Sequence, residues 1–182
     1  YPGESALKQM NNFLRILEGI DLDSVRLALD VELEHGQTRA VITNTLLSAL
    51  ELLEQETGRL PIVYSRALWV DANLRVADLP RVDWWLAQYY YRRPFPQYTP
   101  EYPCPPRLPK GVDQWLIHQT SERGPAIGGA GNYMDYDRWH GSKAELWAYF
   151  GRMSEAGRYV CPLCGQTCDR ELTLPAVKMA EV

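Results

Sequence analysis

No apolar run in this chain comes near the ~18 residues that a membrane-spanning helix requires, so membrane insertion is not expected. Excess positive charge is also missing: 19 Lys and Arg stand against 23 Asp and Glu, for a net charge of -4 at pH 7. A non-specific binder of nucleic acid or of an anionic membrane surface would carry a basic face, so nucleic acid is not an expected partner. Cysteine is scarce, with four residues, of which Cys161, Cys164 and Cys168 are crowded together. That is too few and too clustered for a disulfide scaffold. His118 and His140 have no carboxylate or cysteine at a convincing ligand spacing, so neither a hydrolytic zinc nor any other cofactor is expected. The opening residues, "YPGESALKQ", have no apolar core behind a basic start and do not read as a signal peptide. The chain begins on Tyr1 rather than Met, and so reads as a processed or partial product.

What is present is ordinary for a globular chain. Its 182 residues amount to about one domain, able to bury roughly two thirds of the extended-chain surface. Apolar residues at three- and four-residue spacing predict a helix over 4–18, and a second from Thr38 to Thr57 with Gly58 just past its end. "SVRLALDVE" and "RLPIVYS" read as short buried strands, with a brief helix or loop over 66–80. "DWWLAQYYY" alternates as a strand, placing Trp85, Ala87, Tyr89 and Tyr91 on one face. The proline-dense "PFPQYTPEYPCPPRLP" can be neither helix nor central strand. A strand over 113–120, a Gly-rich loop over 121–132, a short strand "NYMDYD" and a closing helix from Ser142 complete the order. Ser142 and Glu145 stand at capping-box spacing. Helices between short strands imply a parallel sheet, and the later strands, with little helix between them, suit barrel closure.

One stretch raises a chemical question. "VRLALDVELEHG" ends an apolar run with Asp30 and Glu32, one residue apart. Residues two apart in a strand share a face with Cα atoms roughly 6.5–7 Å apart. Their carboxyls can therefore approach within about 5–7 Å, as glycosidase acid pairs do. Like charges at that range resist ionising together, so one keeps its proton to higher pH. Such a pair can donate a proton from one member and stabilise positive charge with the other. The same two residues, with Glu34 and His35, also read as a solvated strand end.

The surrounding blocks bear on that choice. "LALDVE" at 27–32, "TGRLPIVYS" at 57–65, "DWWLAQYY" at 83–90, "WLIHQT" at 115–120 and "GNYMDYDRWHGSKAEL" at 131–146 follow one another in order. This series resembles glycoside hydrolase family 25, the lysozymes (N-acetylmuramidases) of phage endolysins and bacterial autolysins, over roughly residues 1–150. The resemblance implies a TIM-like (β/α)5(β)3 barrel of the α/β class; residues 151–182 lie outside it and read as a separate Cys-containing tail. It implies Glu32 as proton donor, and Asp30 as the carboxylate stabilising an oxocarbenium-like transition state or an intermediate formed with the substrate's own acetamido group. Asp135 matches a further active-site aspartate, Tyr64 and Tyr89 match aromatic positions along the groove, and Gln119 matches a glutamine of the family's "WQY" block. The substrate implied is the β-1,4 bond between N-acetylmuramic acid and N-acetylglucosamine in peptidoglycan. The place of action implied is extracellular or at the cell wall, by secretion or by phage release from the host cytoplasm.

Three departures stand beside that likeness. "WQY" reads "HQT" here, so His118 and Thr120 replace two aromatics. The closing segment reads "MDYDRW", with Asp137 where Asn is common. Nothing before residue 19 resembles the family's aspartate-bearing "GIDVS" block, so roughly a third of an eight-stranded barrel is expected to be missing. A fragment of a longer chain, another chain or segment completing the barrel, or a defective enzyme would each account for it.

Sugar rings stack on aromatic faces, so Trp85 joins Tyr64 and Tyr89 as an expected groove residue, while most other aromatics read as core. His35 could tune Glu32 or be a plain loop residue. "CPLCGQTC" has the shape of one zinc knuckle, but a closed zinc site takes four ligands and only Cys104 is left to supply the fourth; free or disulfide-linked thiols are the other reading. Two functions compete with a muramidase: a non-catalytic glycan-binding remnant of the same fold, and a zinc-containing interaction module resting on the tail.

Overall fold

A computed structural model of the chain describes residues 1–22, 25–89, 104–125, 133–150, 159–160 and 167–168. Its elements, in order, are α1 (Ala6–Ile16), β1 (Ala28–Asp30), α2 (Arg39–Thr57), β2 (Ile62–Ser65), α3 (Ala67–Asn73), a 3-10 turn (Val76–Asp78), β3 (Trp84–Ala87), β4 (Ile117–Pro125), β5 (Tyr133–Trp139), α4 (Lys143–Phe150), β6 (Tyr159–Val160) and β7 (Thr167–Cys168). Strands β1 to β5 form one sheet in sequence order, and β6 pairs with β7. The first four strands run parallel, and β5 returns antiparallel to β4. The sheet is open, with β1 and β5 at its edges, and no closed barrel is present among the described residues.

Local sequence accounts for the helix limits. The Thr38 side chain accepts from the Val41 N–H at the start of α2, and Gly58 ends it in the left-handed region at φ +69°. Ser142 Oγ accepts from the Glu145 N–H at 3.2 Å, while Glu145 Oε2 accepts from the Ser142 N–H at 2.7 Å. That is the capping box read from the sequence.

Two clusters hold the fold. Ile42, Leu46 and Leu50 of α2 pack with Val63, Trp84 and Leu86 of the sheet and with Val70 and Leu74. Met10, Ala49 and Leu53, with Phe13 and Leu14, join α1 to α2. The α1 stripe is only partly used, since Leu7 is left exposed.

The register assigns the two sheet faces. Leu29 pairs with Val63 and Val63 with Trp84, which places them on the face covered by α2 and α3. Asp30 pairs with Tyr64, Tyr64 with Trp85, Ala87 with Gln119, and Gln119 with Asp137. By alternation, these residues occupy the opposite face.

Strand limits differ from expectation. β1 is three residues long rather than nine. β4 begins later than expected and runs on through "SERGP", where a Gly-rich loop was expected from 121. Backbone pairing with β5 overrides the polar composition there, through register shifts between Gln119, Ser121 and Gly124. Tyr90, Tyr91, most of the proline-rich stretch, Cys161 and Cys164 lie outside the described residues. Among the described residues, no helix is long and apolar enough to cross a membrane.

Candidate active site

The carboxyl ends of β1, β2 and β3 gather the acids and aromatics named above. Asp30 closes β1, and the chain beyond it stays tied to β2: the Val31 N–H donates to the Tyr64 carbonyl at 3.0 Å, and Ser65 Oγ donates to the Val31 carbonyl at 2.5 Å. This holds Glu32 above the sheet edge. The turn that follows passes through His35 at φ +49° and Gly36 at φ +70°. His35 packs edge-on against Tyr1, with ring centroids 4.9 Å apart, as an exposed loop residue.

Asp30 and Glu32 line one cavity of about 340 Å³, whose walls include Tyr1, Gln9, Met10 and Leu46. Both acids also share a cation. Arg66 Nε lies 3.5 Å from Glu32 Oε2, and an Arg66 N–H reaches the Glu32 carbonyl at 3.4 Å. Burial raises the Asp30 pKa above the ordinary aspartate value, and the Arg66 charge pulls against that rise.

The aromatic residues converge on one amide. The Tyr64 and Tyr89 hydroxyls both donate to Gln119 Oε1, at 2.8 and 2.5 Å. Gln119 is buried, and its position on β4 is fixed by the Ala87–Gln119 and Gln119–Asp137 pairings. Both phenols are raised in pKa, chiefly by burial, and Glu32 adds to the rise in each. The Tyr64 ring meets Trp85 edge-on at 5.3 Å, and Trp85 Nε1 donates to Asp137 Oδ1 at 2.7 Å.

Asp137 is pushed up to about 6 by burial, with the Trp85 hydrogen bond lowering it and the Asp135 charge raising it. Asp135 itself is exposed on β5; its charge acts on both Asp137 and Tyr89. The structure thus brings Asp30, Glu32, Tyr64, Trp85, Tyr89 and Gln119 together, with Asp135 at the same end of the sheet.

Sequence reasoning missed Arg66 and treated Asp137 only as a departure. Arg66 directly follows β2, and strand carboxyl ends are where functional groups collect in parallel α/β folds. Asp137 is two residues from Asp135, so strand alternation could have put both on one face. His118, by contrast, is a core residue on the other face. It is fully buried, its Nε2 lies 2.9 Å from the Gln88 carbonyl, and its pKa is lowered to about 4, chiefly by burial. Cys104 is a half-buried free thiol, and its carbonyl accepts from Arg138 at 2.8 Å.

Known proteins share this arrangement of elements. A family 25 glycosyl hydrolase from Bacillus anthracis superposes with a TM-score of 0.61 at 20% identity, covering 79% of this chain and 62% of that one. The spore cortex lytic enzyme SleM of Clostridium perfringens gives 0.59 at 20% identity, over 80% and 48%. A bacterial lysozyme from Streptomyces coelicolor gives 0.57 at 19%, over 80% and 65%. At these identities the likeness shows the fold. The uncharacterized protein YegX of Escherichia coli strain K12 is 30% identical over 155 residues, which are 85% of this chain and 50% of YegX. The chain therefore spans about half the length of the curated relatives it matches. Residues 1–129 match the profile described as Glycosyl hydrolases family 25, and the chain belongs to that family.

Proposed function

We propose that this chain carries part of a peptidoglycan hydrolase site that cleaves the β-1,4 bond between N-acetylmuramic acid and N-acetylglucosamine. Glu32 is the proton donor to the leaving oxygen. Asp30 stabilises the positive charge that develops at the anomeric carbon, and Asp135 is a further acid at the rim. Tyr64, Trp85, Tyr89 and Gln119 form the floor on which the sugar lies. The place of action is the cell wall, reached by secretion or phage release. Residues 151–182 are assigned to a separate Cys-containing tail rather than to this unit.

The observation that supports this reading most is the shared setting of Asp30 and Glu32. They line one cavity at the carboxyl end of a parallel strand, and Arg66 acts on both. The Arg66 guanidinium pairs with Glu32 at 3.5 Å and its charge also acts on Asp30, which offsets the repulsion between the two acids. Proton donation from Glu32 requires Arg66 to move aside as substrate enters, which its half-exposed side chain permits.

Turbidity of a peptidoglycan suspension tests the assignment. The chain should lower it, and Glu32→Gln should slow that lysis by about 10²–10⁴-fold, the usual contribution of a general acid. Absence of lysis with glycan binding retained would replace the enzyme with a non-catalytic binder.

A further inference from the structure

A second cavity lies beside the acid groove and has no part in the cleavage chemistry. Its volume is about 870 Å³, and its walls include Arg66, which pairs with Glu32, and Tyr89, which donates to Gln119, although neither lines the cavity of Asp30 and Glu32. One wall is helix α3, where Leu68 and Trp69 present apolar surface, and Leu68 is 66% exposed. The rim carries both charge signs: Arg66 and Arg107 as cations, Glu34 and Glu122 as anions.

These charges are held in place. Arg107 donates to Asp71 Oδ2 at 2.9 Å, and its backbone N–H donates to Gln88 Oε1 at 2.6 Å. Glu34 Oε2 accepts from Trp69 Nε1 at 3.4 Å. The Arg66, Arg107 and Glu122 side chains nevertheless remain about half exposed. A guanidinium has five N–H donors, so one carboxylate contact leaves capacity for a second anion.

We infer that this cavity is a subsite for the stem peptide carried by the muramic acid, a short chain bearing carboxylates, an ammonium group and alanine methyls. A bare glycan offers one lactyl carboxylate and no cation to four ionic side chains around an apolar wall. A peptide with charges of both signs answers them. Arg66 and Arg107 take its carboxylates, Glu34 and Glu122 its ammonium group, and Leu68 its methyls. Arg66 then links occupation of the subsite to Glu32, because the same guanidinium faces both.

The inference rests on the muramidase reading for its substrate, and its test separates the two. Calorimetry on this chain would compare a soluble disaccharide–tetrapeptide with the same disaccharide stripped of peptide. The peptide should tighten binding about tenfold or more, as one or two charge-assisted hydrogen bonds would. Leu68→Asp, at an exposed position that tolerates it, and Arg107→Ala should each reduce that advantage to under about threefold. Equal affinity for the two ligands, binding of neither, or an advantage unmoved in both variants would overturn the subsite. Cleavage of peptide-free glycan strands is read separately. Cleavage without any peptide advantage sinks only the subsite, whereas a variant-sensitive peptide advantage without cleavage sinks only the muramidase.

Discussion

The Trp85 indole donates to Asp137 Oδ1 at 2.7 Å across two strands, β3 and β5, that are not neighbours in the sheet. β4 lies between them, and its Gln119 pairs with Asp137 while collecting the hydroxyls of Tyr64 and Tyr89. These side chains therefore form one connected polar layer, and its parts are expected to respond together.

Asp137 makes that layer sensitive to pH. Its pKa is raised to about 6, so its contribution to stability is fully present below the unfolded value near 4 and is lost as pH rises through about 6. His118 works the opposite way. Lowered to about 4, it is stabilising above 6.5, and that stability is lost as pH falls through about 4. Each effect is of order 3 kcal/mol and the two oppose each other between pH 4 and 6, so the chain should show a flat stability profile there. Asp137→Asn keeps an acceptor for Trp85 and removes one slope. Urea unfolding should find the variant more stable at pH 7 by about 1–3 kcal/mol, and losing stability steeply as pH falls to 4.5. A profile as flat as the parent's would count against the buried titration of Asp137.

Gln119 should matter more than either tyrosine. Tyr64→Phe or Tyr89→Phe removes one donor and should cost about 1 kcal/mol, since the amide keeps the other hydroxyl. Gln119→Leu removes the acceptor that both hydroxyls share, leaving them only each other, and should cost about 2–3 kcal/mol. In a double-mutant cycle the two tyrosine changes should be non-additive by at least about 0.5 kcal/mol. Strict additivity would mean that the hydroxyls do not share the amide.

Arg66→Ala should raise the Asp30 pKa further, because the guanidinium charge is what holds it down against burial. Carbon-detected carboxyl titration by NMR would read this directly. The acid limb of any lytic activity, where the Asp30 carboxylate is lost, should move to higher pH with it, and Arg66→Lys should restore part of the original profile. An Asp30 titration unchanged in the Ala variant would remove Arg66 from the site's electrostatics.

Tyr149 anchors α4 to the sheet. Its hydroxyl donates to Asp83 Oδ2 at 2.6 Å, Arg26 lies over its ring at 4.5 Å, and Arg26 Nε donates to its carbonyl at 3.0 Å. Tyr149→Phe keeps the ring and the carbonyl contact but loses a hydrogen bond to a carboxylate. Thermal unfolding should show a loss of about 1.5–3 kcal/mol, the range for bonds to charged groups.

Local patterns were enough to reveal the order of elements through α4, the α2 limits from Thr38 to Gly58, the capping box at Ser142 and Asp30 at the end of β1, because each depends on residues within about one helical turn or strand of one another. The same locality explains the misjudged loop at 121. "SERGP" has a loop's composition, and only pairing with β5 makes it a strand.

What the amino-acid order decided alone was which residue types stand at the ends of strands. Tertiary structure decided which of them meet. Trp85 and Asp137 are 52 residues apart in the chain, and Glu32 and Arg66 are 34 apart. Whether such pairs touch depends on strand register, where a slip of one residue turns every side chain to the opposite face. Register is set by the packing of α2 and α3 on the far side of the sheet, which no local pattern encodes.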